Sequence, residues 1–465
     1  MRRRDDFVGT TARRALLLLV SLAFSSAKRV DYERDAGAVA DADDFDTLWA
    51  NGAALNASLN GLSPGDSFVV PNKTFYLMGG IIAKGLRSVT IIIDGTLYFG
   101  LKSENLLTDA AALQRYRSEW PRSHGESVLQ CLQFDDANGL ALTSNGTGVL
   151  EGAGAKWWGV PGVGYLLRIE RRPQLIRIER GTSVLVERLY LHNSPYWTFY
   201  CVGCDGLEVR HSSIDARRTQ RDAHGLIDLT AFNTDGFDVT GRNIWIHDCT
   251  VWNQDDCFDV KDGTENVLIE NIEASGLGLT IGSISGSTVR NVTFRNARMH
   301  RTDKGIYMKF RGAGLVADVT YENIVIEEPT GYAIWVGPAQ QSDSRQICAA
   351  HPCSLCWPEL PGSQCVAPAG AQYVNITLRN ISVLSPTRSP GVLLADASSP
   401  MRNVVFEDVV VTNPGSRPFG DAFYKCENVQ GVAKGTTHPV PPCLEDRTER
   451  ALRAAMAHAQ EAPSP

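Results

Sequence analysis

The chain has 465 residues, 43% of them hydrophobic and 21% charged, the make-up of a globular protein with a large core. Its formal net charge of −7 argues against nucleic acid or an anionic membrane as partner, although a local basic cluster could still bind an acidic substrate. Eleven cysteines cannot all pair within one chain, so at least one is expected to be free or intermolecular.

Arg2, Arg3, Arg4, Arg13 and Arg14 precede the apolar run ALLLLVSLAF and the small residues Ser25, Ser26 and Ala27. That order predicts a secretory signal over 1–27, cleaved near Ala27, since the apolar run is too short for an ordinary membrane span. A secreted or cell-wall location is therefore expected, without membrane attachment after cleavage. Sequons at Asn56, Asn72, Asn145, Asn291, Asn375 and Asn380 fit that route. Next comes helical periodicity behind Asp43 and Asp44, both suited to N-capping, and it predicts a helix that closes one end of the fold.

Beyond it lies a repeat. One phrase of apolar, any, apolar and two polar residues before a second apolar pair begins at Val184, Leu207, Ile244, Val267, Val292, Val319, Ile376 and Val404. The steps are 23, 37, 23, 25, 27, 57 and 28 residues; the 37 contains the insertion RRTQRDAHGLIDLTA and the 57 a cysteine cluster. Short alternating strands at this spacing predict a solenoid of about three strands per turn, with equivalent strands stacked in parallel about 4.8 Å apart. A leucine-rich repeat would need denser leucine, and a sandwich would not hold one phase for so long. The expected fold is all-β, a parallel β-helix over 28–445, with the recurrent Asn and Asp forming a ladder along a bend. Cys348, Cys353, Cys356 and Cys365 are expected to staple an insertion at about 345–366 by disulfides rather than bind zinc. The Ala-rich tail, 446–465, is expected to be peripheral or disordered.

NTDGFDV at 233–239 and QDDCFDV at 254–260 match at an offset of 21, about one coil. Asp235 should then lie above Asp256, Phe237 above Phe258 and Asp238 above Asp259, with Asp255 adjacent. Such crowding raises the cost of ionising each carboxyl. Three carboxylates on one exposed face could do acid–base work: one kept protonated for a leaving oxygen, the others holding and deprotonating a water. Spacing alone leaves a calcium site or a ladder of turn aspartates equally open.

NTDGFD, NQDDC and GLGLTIGS resemble the signature blocks of glycoside hydrolase family 28, the polygalacturonase-like pectinases. GVLEGAGAKWWG at 148–159, NSPYWTF at 193–199 and VVPNKTFYL support the likeness, which covers roughly residues 35–415. It implies a right-handed helix and hydrolysis of a polysaccharide with inversion, Asp255 being the general acid and Asp235 and Asp256 the pair that activates water. It implies no cofactor and no metal, and the chain is expected to act as a monomer. Asn233, in the first block, is expected at the substrate.

Two blocks depart from the family pattern. Gly-His-Gly reads Gly276, Leu277, Gly278, so the middle residue can offer substrate only apolar contact. Arg-Ile-Lys reads Tyr307, Met308, Lys309; Tyr cannot reproduce the bidentate grip of Arg on a carboxylate, while Lys309 is left as a candidate for an acidic group. His224 could replace the missing histidine, though a solvated loop histidine is the simpler expectation. Trp197 and Trp335 could line the cleft or pack in the core. The expectation is a glycosidase acting on a sugar other than plain galacturonate; the alternatives are an impaired enzyme that binds glycan without cutting it, and a calcium-dependent polysaccharide lyase.

Overall fold

The computed structural model describes residues 27–102, 110–124, 127–159, 171–219, 224, 228–341 and 347–451. The secretory signal expected over 1–27 lies outside the described residues apart from Ala27, as does the tail beyond 451.

Each recurrence of the repeated phrase lies directly on the next. Val184 pairs with Leu207, Leu207 with Ile244, Ile244 with Val267 and Val267 with Val292, all in parallel. Val292 then pairs with Val319, Val319 with Ile376 and Ile376 with Val404. Alternation within each phrase sends every second side chain inward, so stacking coils buries a continuous column of aliphatic and aromatic residues. The result is a right-handed parallel β-helix, its strands joined in one continuous sheet. Both long insertions leave the column between successive rungs, and the phrases on either side of each still pair residue for residue.

The polar positions of the phrase supply the bend. Asp248, Asn271, Asn296, Asn323 and Asn380 all take left-handed backbone angles, with φ between 51° and 56°, a region that Asn and Asp tolerate better than other side chains. Their amides then join rung to rung: Asn271 donates to Asp248 at 3.1 Å, Asn296 to Asn271 at 3.2 Å, Asn323 to Asn296 at 3.1 Å and Asn380 to Asn323 at 2.9 Å. Asn296→Ala removes two of these bonds and leaves a poor left-handed residue behind. It is expected to cost about 1–2 kcal/mol in urea unfolding, and an unchanged midpoint would contradict the ladder's role.

The expected capping helix runs over Phe45–Asn60; the Asp44 carboxylate accepts from the Thr47 amide, and Leu48, Leu55 and Leu59 are buried against the first coils. A second helix, Ala110–Glu119, was not anticipated; its Tyr116 meets Trp120 and Trp157 edge-on at 5.6 Å. At the other end Glu445–Thr448 adds a strand to Val429–Gly435, so the sheet continues a few residues into the segment expected to be tail. Cys348–Cys356 and Cys353–Cys365 close the insertion, Cys201–Cys204 and Cys426–Cys443 form two further disulfides, and Cys131, Cys249 and Cys257 are free and buried. Among the described residues no helix is long and apolar enough to cross a membrane.

Candidate active site

One wall of the helix carries the strands starting at Phe237, Phe258, Leu279, Ile306 and Ile334, and these five residues stack inward in register. Phe199, Phe237 and Phe258 form a buried aromatic column with centroids 5.6 and 5.5 Å apart, a rigid floor. Just upstream of the strands the chain turns, and there Asp235, Asp255 and Asp256 meet. The Gly236 amide donates to the Asp256 carbonyl at 2.8 Å, which sets Asp235 and Asp256 on adjacent rungs as the offset of 21 predicts. One carboxylate oxygen from each of the three lies within 4.8 Å of the others.

The turn is held from within. Asn253 is fully buried, and its amide donates to the carbonyls of Thr234 at 2.9 Å and Asp256 at 2.8 Å. Asp255 accepts the Asp256 amide on one oxygen at 2.9 Å; on the other it accepts the backbone and side-chain N–H groups of Asn233 at 3.2 and 3.3 Å. Asn233, expected at the substrate, thus holds Asp255. Gly276 and Gly278 survive for a backbone reason: a Cβ on Gly276 would sit 2.0 Å from the Asn253 oxygen, and Gly278, at φ +87°, has the Lys304 carbonyl 2.0 Å from where its Cβ would be.

The cluster is not on an exposed face, as expected from the sequence; Asp235, Asp255 and Asp256 are only 3–5% exposed. Two lysines help to cover it. Lys309 Nζ bonds Asp256 at 2.5 Å and lies over the Tyr307 ring at 4.5 Å. Lys261 Nζ is bonded to Asp259, 3.3 Å from Asp238 and 3.9 Å from Asp235, and lies over the Trp197 ring at 4.6 Å. Thr280 donates its hydroxyl to Asp256 at 2.9 Å. Lys261 went unnoticed in the sequence, yet it stands two positions after Asp259, the parity that points to the same face.

Five buried aspartates, counting Asp238 and Asp259, share these two ammonium groups, so not all can ionise. Burial, reinforced by the Asp256 charge and opposed by Lys309, pushes Asp255 up to about 7. Burial first, then Asp255 and Asp238, drives Asp235 well above the ordinary carboxylate value, with Lys261 opposing. Asp256 is the member held by a cation. Inverting hydrolysis uses acid and base carboxyls roughly 6.5–9.5 Å apart. The facing oxygens here are closer, but a water bonded to two oxygens at about 2.8 Å each spans about 4.6 Å at a tetrahedral angle.

The remaining predicted residues sort clearly. Leu277 is half-buried beside the trio, its amide donating to the Asp255 carbonyl at 2.7 Å. His224 is half-buried and not an open loop histidine: among the described residues it bridges Gln254 and Ser275 at 3.0 and 2.7 Å and stacks on Trp252, and burial pulls it below its ordinary value. Tyr307 is enclosed, its hydroxyl accepting the Gln340 amide at 3.1 Å, so neither that group nor an open ring face is free to bind substrate. Lys309 already has its carboxylate, Asp256. Trp335 is fully buried beneath the cysteine-rich insertion, whereas Trp197 stays half-buried at the edge of the cluster.

A solenoid wall bearing one carboxyl raised by burial beside a second, cation-paired carboxylate is the equipment of a glycoside hydrolase. The chain belongs to glycosyl hydrolases family 28, whose model matches residues 66–353. An endopolygalacturonase of Emericella nidulans is 28% identical over 322 residues, 66% of this chain and 76% of that one. A probable endopolygalacturonase C of Aspergillus aculeatus is 32% identical over 206 residues, 42% of this chain and 51% of its own length. Among solved structures, the endo-xylogalacturonan hydrolase of Aspergillus tubingensis superposes over 90% of this chain and 98% of its own with a TM-score of 0.62 at 18% identity. An exopolygalacturonase of Thermotoga maritima gives 0.60 at 17% identity over 90% and 91% of the two chains. At those identities the superpositions speak for the fold.

Proposed function

We propose that this chain hydrolyses an O-glycosidic bond in a pectin-like acidic polysaccharide outside the cell, by single displacement with inversion. The observation that carries the reading is the unequal environment of two adjacent carboxyls: Asp255 is bonded to no cation among the described residues and is pushed up to about 7, whereas Asp256 is bonded to Lys309 and Thr280. Asp255 gives its proton to the leaving oxygen as the bond to the anomeric carbon breaks. A water held by Asp256 attacks that carbon from the other side, and its proton passes to Asp256. Asp235, itself driven toward the protonated form, shares protons with Asp255 and orients the water through Oδ1, which has no hydrogen-bond partner among the described residues.

The endopolygalacturonase relatives support a pectic substrate, and Lys261 and Lys309 offset part of the negative charge that the aspartates would set against an acidic sugar. Plain galacturonate is not the expected best unit, because Tyr307 is occupied and Leu277 offers apolar contact alone. A panel of acidic and neutral polysaccharides, followed by NMR, tests this. Expected are an inverted anomeric product and activity that survives chelation, with a modified pectic glycan cut faster than unesterified polygalacturonate. A retained anomer, an unsaturated product or polygalacturonate as best substrate would refute the corresponding claim.

A further inference from the structure

The outer face of the catalytic wall changes character abruptly along the stack. In register, its outward positions read Asp238, Asp259, Thr280, Tyr307, Trp335 and Val392. The first three surround the carboxylates. From Tyr307 onward the closed face turns apolar: Tyr307 is 3% exposed, and Trp335 and Val392, like Asp238, Asp259 and Thr280 before them, not at all. What shuts it is the cysteine-rich insertion, whose Cys353, Trp357, Cys365 and Ala367 pack with Tyr307, Tyr332, Trp335 and Val392 in one cluster separate from the main core. Trp357 meets Trp335 edge-on at 6.1 Å.

This cover is pinned at several points. Its own two disulfides, Cys348–Cys356 and Cys353–Cys365, fix its shape. Gln340 ties it to the wall, donating through its amide side chain to the carbonyls of Ser354 and Trp357 at 3.3 Å and through its backbone to the Tyr307 hydroxyl at 3.1 Å. Glu359 pairs with Arg388 at 2.6 Å, near the turn into the next strand of the wall. The upstream direction differs. There the outward column runs through Tyr200, Arg177, Gln133 and Ile82, each half-buried rather than enclosed.

We propose that the stapled insertion is the end wall of the substrate site, so that the enzyme acts on chain ends and releases units of one or two sugars rather than cutting at internal positions. Tyr307 stands two rungs from Asp256, and the Lys309 ammonium bridges them, 2.5 Å from the carboxylate and 4.5 Å from the ring centroid, so the space on this side holds one or two pyranose rings at most. A polysaccharide laid along the stack enters over the upstream coils and stops against the insertion. The inference rests on the hydrolytic reading given above.

Two measurements on the full chain test it. The first is digestion of the best polysaccharide of the panel, with viscosity and products followed together: mono- or disaccharide from the earliest times with slow loss of viscosity is expected. An early ladder of long oligomers with rapid loss of viscosity overturns the end wall while leaving the hydrolytic reading intact. The second needs no turnover. The Asp255→Asn variant is titrated with that polysaccharide and with the same mass of it fragmented to a tenth of its length; a site for chain ends binds the fragmented sample about tenfold more tightly per mass. Equal binding per mass overturns the proposal. Neither hydrolysis nor binding with any glycan of the panel overturns the hydrolytic reading and this inference with it.

Discussion

Asp255→Asn is expected to lower kcat by about 10²–10⁴ on the preferred polysaccharide, the range lost with a positioned general acid, with KM little changed. The same variant is expected to be more stable than the parent at neutral pH. The Asp255 carboxyl has an ordinary value of 3.8 and a folded value of about 7. Between those values the folded chain keeps a proton that the unfolded chain releases, so this group's contribution to stability falls as pH rises from about 4 to about 7 and is constant above. Asn cannot ionise and escapes that loss, but with one accepting oxygen in place of two it gives up either the bond from the Asp256 amide or those from Asn233. The net gain expected at pH 7–8 is about 1–3 kcal/mol, vanishing near pH 4. Urea unfolding at both pH values, beside initial rates, checks the pair of claims; a variant both inactive and destabilised at pH 8 would show that Asp255 is held for structure.

Lys309→Met is expected to cost about 3–5 kcal/mol and to abolish measurable turnover, because it leaves Asp256 buried without its cation. Burial works against the Lys309 ammonium, but Asp256 outweighs it and holds the lysine above its ordinary value, so the ammonium stays charged across the neutral range. The informative control is the double variant Lys309→Met with Asp256→Asn, which removes both charges and is expected to recover a large part of the stability but none of the activity. Thermal unfolding of the two variants side by side decides the matter: if the double variant is no more stable than the single, Lys309 matters for its packing on Tyr307 and not for the charge of Asp256.

The register of the solenoid was legible because it is written twice, in alternation and in the Asn or Asp that each bend needs. All eight phrases therefore landed on one another, and the offset of 21 placed Asp235 beside Asp256. Burial of the site was not legible. Aspartates read as exposed from their chemistry are covered by Lys261 and Lys309, whose long side chains reach back from strand positions further on. For the same reason Lys309 read as a free cation, since a partner 53 residues away leaves no local trace. His224 and Tyr307 were misjudged because their partners, Ser275 and Gln340, are set by how the insertions fold over the wall. Asn253 was quoted within its block but not credited with holding the turn, although a polar residue ahead of paired aspartates is a reasonable signal for such a clamp.

Catalysis by this trio depends on its proton inventory: at neutral pH the three carboxyls must hold a proton, and Asp255 must be among its carriers. Carbon-13 NMR of aspartate-labelled protein across pH 3–9 reads this without any substrate. The predicted result is a carboxyl resonance with a midpoint near 7 in the parent chain that is missing from Asp255→Asn. Complete ionisation of every aspartate below about pH 5 would contradict it.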